Sequence, residues 1–221
     1  MGTIKKGILG GFSGKVGTVV GSNWKQTAYM RSLAQKVKNP RTPAQVKHRA
    51  KFKMTIEYLR PLAPLIRIGW KLHAHKQSAF NAAVNYFMKN VIGRYWVWDL
   101  EADPNKFLIS RGSLTPAEQT TTTIGHNPGV TSMYIVWGDN STVGDASKDD
   151  TALIAIVNKD KKEAIISYND YKRDSGFGRF TIPNDWVGNT VYPYVGFVSN
   201  DGKRVANSVY LGLRTIPENP L

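Results

Sequence analysis

The residues with the most chemical promise lie near the start of the chain, in Gly10-Gly11-Phe12-Ser13-Gly14-Lys15-Val16. A glycine-rich turn ending in lysine can cradle phosphate, because backbone N–H groups and the ammonium converge on the anion. Here the motif is incomplete. Leu9 stands where its first glycine belongs, Val16 stands where a hydroxyl must reach a metal ion, and no strand precedes it. Nucleotide hydrolysis is therefore not expected. Of the four histidines, His48, His73, His75 and His126, His73 and His75 would share one side of a strand. Lys71 and Lys76 flank that pair and no nearby carboxylate completes a zinc set, so surface or structural roles are expected. Asp139, Asp145, Asp149 and Asp150 bring oxygen ligands into one stretch. That leaves calcium open, although the spacing is not that of the 12-residue calcium loop. A Ser-His-Asp triad need not be contiguous, so an enzyme stays open as a third reading, but no nucleophile-elbow motif supports one. The expectation is a non-enzymatic protein without a cofactor or metal.

The positive signal is charge. Residues 1–60 hold 13 Lys or Arg and one acid, Glu57. Residues 1–98 carry a net charge of +17 and residues 99–221 a net of −3. Self-repulsion on that scale calls for an anionic partner of the first part, either nucleic acid or an acidic protein surface. The candidate anion-binding cations are Lys15, Lys25, Arg31, Lys36, Lys38, Arg41, Lys47, Arg49, Lys51 and Lys53. Phe12, Trp24 and Tyr29 are available to stack on bases, which suits single strands; the alternative places them, Trp24 above all, in a core. No helix-turn-helix, zinc finger or RNA-recognition motif stands out, so sequence-specific readout is not expected.

These side chains need elements to position them. Val16–Val20 and Gln26–Ser32 read as strands with Gly21-Ser22-Asn23 as the turn, making an N-terminal hairpin. Seven glycines fall among the first 21 residues. Gly10, Gly11, Gly14 and Gly17 are read as close-packing positions where another backbone must approach. Thr42-Pro43-Ala44-Gln45 is a helix start, with Thr42 as N-cap, Pro43 in the first turn and Gln45 completing a capping box. That helix should run to Arg60 before Pro61, burying a stripe of Phe52, Ile56 and Leu59 and presenting cations elsewhere. A short helix over 65–70 and a longer one over 79–92, capped by Ser78, should follow. From Phe107 the period becomes 2. Strands are expected at 106–111, 132–137, 152–158, 163–168, 178–182, 190–199 and 204–212, with Asn200-Asp201-Gly202 as a hairpin turn.

The fold class read from this pattern is α+β: a hairpin plus helices over 1–98 as a basic attachment module, and an antiparallel β-sandwich over 99–221. A hydrophobic fraction of 41% supports a folded core rather than disorder. Cysteine is absent, which excludes disulfides and thiolate chemistry. Glycines interrupt the first 21 residues too often for a signal peptide, so synthesis in the cytoplasm is expected, with incorporation into a particle open. No run of about 18 apolar residues predicts a membrane span.

Two resemblances add to this reading. Met133-Tyr134-Ile135-Val136-Trp137, with the block from Gly188 to Ser199 and on to Asn207-Ser208, resembles fibronectin type III and immunoglobulin-like sandwiches. Pro193 departs from a central-strand pattern and implies an edge or a bulge. Gly7-Ile8-Leu9-Gly10-Gly11-Phe12-Ser13-Gly14-Lys15-Val16-Gly17, Lys38-Asn39-Pro40-Arg41-Thr42, and Gly196-Phe197-Val198-Ser199 through Asn207-Ser208 resemble a domain-of-unknown-function family seen mainly in Bacteroidota. Lys38-Asn39-Pro40-Arg41-Thr42 before a basic helix is also similar to segments of phage and mobile-element structural proteins. Together these features imply a structural or assembly protein that self-associates or joins other structural proteins. Sequence-nonspecific nucleic-acid binding is the alternative.

Overall fold

The structure is a computed structural model, which describes residues 2–4, 7, 10–25, 27–34, 41–93, 100–127 and 129–218. Lys36 and Lys38, the expected helix lead-in at Asn39-Pro40, and Trp98-Asp99 lie outside the described residues. The chain divides into two compact units, Met1–Thr42 and Pro43–Leu221. The division expected near Trp98 is thus a break in composition; the compact units part earlier, because the helices share a core with the strands that follow.

The first unit is one antiparallel sheet of four strands in sequential order: β1 (Thr3–Ile4), β2 (Phe12–Val16), β3 (Val19–Trp24) and β4 (Thr27–Ser32). Gly17 and Thr18 form the β2–β3 turn, with Gly17 at φ +56°, which a glycine adopts without cost. The turn expected at Gly21-Ser22-Asn23 is instead the middle of β3, paired with Ala28, Tyr29 and Met30. The next reversal comes at Lys25, whose φ is +45°.

The second unit opens with α1 (Pro43–Leu59). Pro43 starts it and it ends just before Arg60, as its sequence implies. Its buried side differs from expectation. Thr55 and Leu59 are fully buried and Ile56 half-buried, but Phe52 is 48% exposed. Thr55 is accommodated because its hydroxyl donates to the Lys51 carbonyl at 2.8 Å, so burial leaves no polar atom unpaired. Next come α2 (Ala63–Gly69) and α3 (Ala79–Tyr86), the latter capped by the Ser78 hydroxyl, which accepts from the Asn81 N–H at 3.1 Å. A wider turn, Phe87–Val91, extends α3.

The strands that follow make two sheets. One contains β5 (Thr121–Asn127), β6 (Val130–Val136) and β9 (Phe177–Ile182). The other contains β7 (Thr151–Asn158), β8 (Glu163–Ser167), β10 (Thr190–Val198), β11 (Val209–Tyr210) and β12 (Arg214–Thr215). The fold is α+β with sandwich-like antiparallel sheets. Its centre is β7 against β10, paired over eight positions from Thr151↔Val198 to Asn158↔Val191. One face of that pair gives Leu153, Ala155, Val157, Tyr192 and Tyr194 to a core with Leu59, Leu65, Ile66, Trp70 and Phe87 of the helical region. The other face gives Ile154, Ile156, Val191, Val195 and Phe197 to a core with Met133, Ile135 and Phe180 of the smaller sheet.

Pro193 lies in a central strand, not at an edge. Its carbonyl accepts from the Leu211 N–H at 3.0 Å, so its missing donor faces the side of β10 away from β7. On that side β12 pairs with Thr190 and Val191, and β11 with Tyr194 and Val195. Proline falls in the gap between them, where no ladder bond is lost. The segment 106–111 is not a strand. Ile109 N–H donates to the Ser208 hydroxyl at 2.9 Å, the Leu108 carbonyl accepts from Trp70 Nε1 at 3.1 Å and Arg111 N–H donates to the Gly69 carbonyl at 2.9 Å, so its polar groups are met by side chains and isolated backbone bonds instead of a ladder.

Tyr58 and Tyr194 face each other in the helical core, with hydroxyls 3.5 Å apart, and Tyr194 donates to the Pro104 carbonyl at 3.0 Å. Burial pushes both phenols above the ordinary tyrosine value. The unfolded chain releases these protons near pH 10 while the folded chain retains them. Stability is therefore fully present below about pH 10 and falls as pH rises beyond it. In an alkaline titration of phenolate absorbance, these two tyrosines are expected to ionise only as structure is lost. Tyr194→Phe should make the melting temperature fall less steeply above about pH 10.

Candidate functional site

Strand alternation divides the side chains of the N-terminal sheet between two faces. Register places Lys15, Val20 and Arg31 in one row across β2, β3 and β4. On the same face, Ser22 pairs with Tyr29 and Trp24 with Thr27, so Trp24 and Tyr29 are diagonal neighbours. Trp24 is 53% exposed and Tyr29 46%. The expectation that Trp24 joins a core does not hold. Lys25 projects from the adjoining turn, and Lys15, Lys25, Arg31 and Arg41 are all exposed.

The other face carries Ile4, Phe12, Val16, Val19 and Met30, with Gly14 and Gly21 between them. Glycines let the sheet roll over this face. A Cβ on Gly11 would sit 2.3 Å from the Ala28 Cβ. One on Gly21 would sit 2.2 Å from the Phe12 carbonyl oxygen and 2.6 Å from its ring. Phe12 thus folds across Gly21 and takes a place on the apolar face, away from Trp24 and Tyr29. Of the other glycines singled out, Gly14 has φ +104°. Gly10 donates its N–H to the Gly7 carbonyl at 3.0 Å. Gly21, read from sequence as a turn residue, is the tightest of these contacts. Its signal was the Val20-Gly21-Ser22 context, a glycine inside a strand pattern, which marks close approach as well as a turn.

The helical cations lie in the second unit. The stretch 43–56 contains no acid, and Lys47, Arg49, Lys51 and Lys53 occupy its successive turns. Lys47 and Lys51, one turn apart, are half-buried; Arg49 and Lys53 are exposed. Lys53 lies 3.8 Å from Glu57, which also takes Lys162 at 2.7 Å. The Lys162 ammonium holds the Glu57 carboxyl below its usual range.

Beside the C-terminal end of α1 is a cavity of about 590 Å³, floored by Met54, Tyr58, Val157 and Tyr192. Its charged lining is internally paired, Glu57 with Lys162 at 2.7 Å and Glu101 with Lys159 at 3.5 Å. In the acidic loop of 139–150, Asp145 and Asp150 likewise have internal partners. Arg173, fully buried, donates to Asp150 at 3.1 Å, Asn140 at 2.6 Å and the Thr115 carbonyl at 2.9 Å. Asp145 accepts from the Thr115 N–H at 2.9 Å and pairs with Arg204 at 3.2 Å. Among the described residues, no three His, Asp or Glu side chains gather as a metal set. No helix among them is long and apolar enough to cross a membrane.

A family profile matches residues 11–212, taking in β2–β4, the helices and β5–β11 of the second unit. The chain belongs to the DUF6266 family, a family of unknown function. No curated protein matches it. In this DUF6266 protein β2–β4 of the glycine-rolled sheet and the basic helix therefore both fall in the region that the family profile matches.

Gly21→Val places methyl groups where the Phe12 backbone already lies. Overpacking of this kind costs about 1–3 kcal/mol, or about tenfold per 1.4 kcal/mol in the population of open sheet. Trypsin cleavage at Lys15, Lys25 and Arg31 is expected to quicken by about 5- to 140-fold, while the unit 43–221 stays resistant.

Proposed function

We propose that this protein is a non-enzymatic assembly component. Its N-terminal sheet docks on neighbouring subunits, its cations engage an anionic partner, and its sandwich-bearing unit is displayed or meets other proteins, in the manner of a phage or mobile-element structural protein. The observation that carries this reading is the apolar face of a single-layer sheet. Within its own unit the roll half-covers Phe12 but leaves Ile4 53%, Val16 54% and Met30 71% exposed. Val19, Met30, Arg31 and Leu33 line a shallow groove near the β2–β3 turn. Exposed apolar surface of this kind marks contact sites, and β4, exposed along its whole length, adds an open sheet edge.

Magnitude favours many copies over one pair. Burying a fully exposed apolar side chain contributes about 1.5–3 kcal/mol; Ile4, Val16, Val19 and Met30 are about half exposed on average, so together they supply roughly 3–6 kcal/mol per chain. Association costs about 4–15 kcal/mol. A single contact is marginal, and repeated contacts in an ordered array are not. The second reading, sequence-nonspecific nucleic-acid binding, draws on the opposite face and does not compete for this surface.

Light scattering over a concentration series tests the proposal. The wild-type chain is expected to grow in size with concentration, and the double variant Val19→Asp, Met30→Asp to remain monomeric. A wild-type monomer throughout, or a double variant that assembles like the wild type, would contradict it.

A further inference from the structure

We infer that the outer face of the N-terminal sheet, bearing Lys15, Arg31, Trp24 and Tyr29, binds single-stranded nucleic acid without sequence preference. The inference rests on the reading that the basic part of the chain engages an anionic partner, and it names that partner.

Residues 1–42 contain eight Lys or Arg and no Asp or Glu. Every fixed side-chain charge in this unit is therefore positive, and its complement is a polyanion. Charge alone does not separate nucleic acid from a sulfated polysaccharide or an acidic protein surface. The aromatics do. Trp24 and Tyr29 are large rings held about half exposed on the face that also carries Lys15 and Arg31. Diagonal neighbours on adjacent antiparallel strands lie about 7–8 Å apart, near enough for two rings to take successive bases of one strand. Every base has a flat π-face, so such stacking tolerates any sequence. A duplex keeps those faces inside its own stack and offers the rings nothing but an edge.

The remaining side chains fit the same ligand. Ser22 and Thr27, cross-strand partners of Tyr29 and Trp24, supply hydroxyls that can donate to phosphate oxygens. Lys15 and Arg31 flank Val20 in one row, placing two cations across the sheet for a backbone passing beside the stacked bases. The apolar residues proposed to drive assembly point the opposite way, so a strand can bind an assembled chain.

The test uses the full chain and a fluorescently labelled mixed-sequence 20-nucleotide single strand, followed by anisotropy through a salt series. The same-sequence duplex and heparin serve as competitors. The single strand is expected to bind at least about tenfold more tightly than the duplex. Trp24→Ala and Tyr29→Ala should each weaken it by about 5- to 150-fold. Lys15→Gln with Arg31→Gln should reduce the log–log salt slope by about 1.4, at about 0.7 per phosphate contact. All four side chains are exposed, so these variants are expected to fold. No binding at low salt would overturn the inference. So would equal competition by duplex and heparin with no effect of removing either ring, since that is charge attraction alone. Light scattering on the same samples separates the two proposals. A chain that assembles but binds no strand overturns this inference and leaves assembly standing. A chain that binds the strand but stays monomeric does the reverse.

Discussion

The second unit depends on the burial of both faces of the β7–β10 pair. Every residue of β7 after Thr151 and every residue of β10 after Thr190 is buried. Strands so placed cannot alternate apolar and polar residues, and they do not. Thr-Ala-Leu-Ile-Ala-Ile-Val-Asn and Thr-Val-Tyr-Pro-Tyr-Val-Gly-Phe-Val are nearly continuous apolar runs. Removing the helices would strand one face of that pair, and removing the smaller sheet the other. The charge boundary near Trp98 therefore cannot be a structural one, since the basic helical region completes the core of the less basic strands.

The Arg173 site borders the core shared with the smaller sheet through Phe197. A fully buried guanidinium is costly unless it is paired and hydrogen-bonded. Here Asp150, Asn140 and the Thr115 carbonyl meet its N–H groups, and it lies 3.9 Å over the Phe197 ring. Trp137 donates to the Arg173 carbonyl at 2.7 Å, tying the same residue to β6's end. In the acidic loop that reads in sequence as a possible calcium site, Asp150 holds this arginine and Asp145 braces the Thr115 segment.

What the sequence disclosed follows from which physical signals are local. Strands facing solvent on one side keep their period of 2, and β9 shows it in Phe177–Ile182 with alternate residues buried. Helix starts were legible because proline and Ser78 act through neighbouring backbone atoms. Phe52 was misplaced because hydrophobic spacing cannot report that Thr55 satisfies its own hydroxyl and takes the buried side. The strand Thr121–Asn127 is not legible in the sequence, because three threonines, a glycine and a histidine give it little apolar contrast. The outer face of the N-terminal sheet was half legible. Its residues were named, but the division that sends Phe12 to one face and Trp24 with Tyr29 to the other depends on register. That register follows from a turn at Gly17-Thr18, not at Gly21.

The two units present opposite physical situations. One buries its apolar residues on both sides of a central sheet, and the other leaves them on the face of a single layer whose outer side is cationic and aromatic. The central claim is that this layer gains its protection from other chains. Hydrogen exchange followed by mass spectrometry, across a wide range of protein concentration, tests it most directly. The account predicts that amides of residues 12–32 become markedly more protected as concentration rises, while those of β7 and β10 remain unchanged. Protection of 12–32 that is independent of concentration would contradict it.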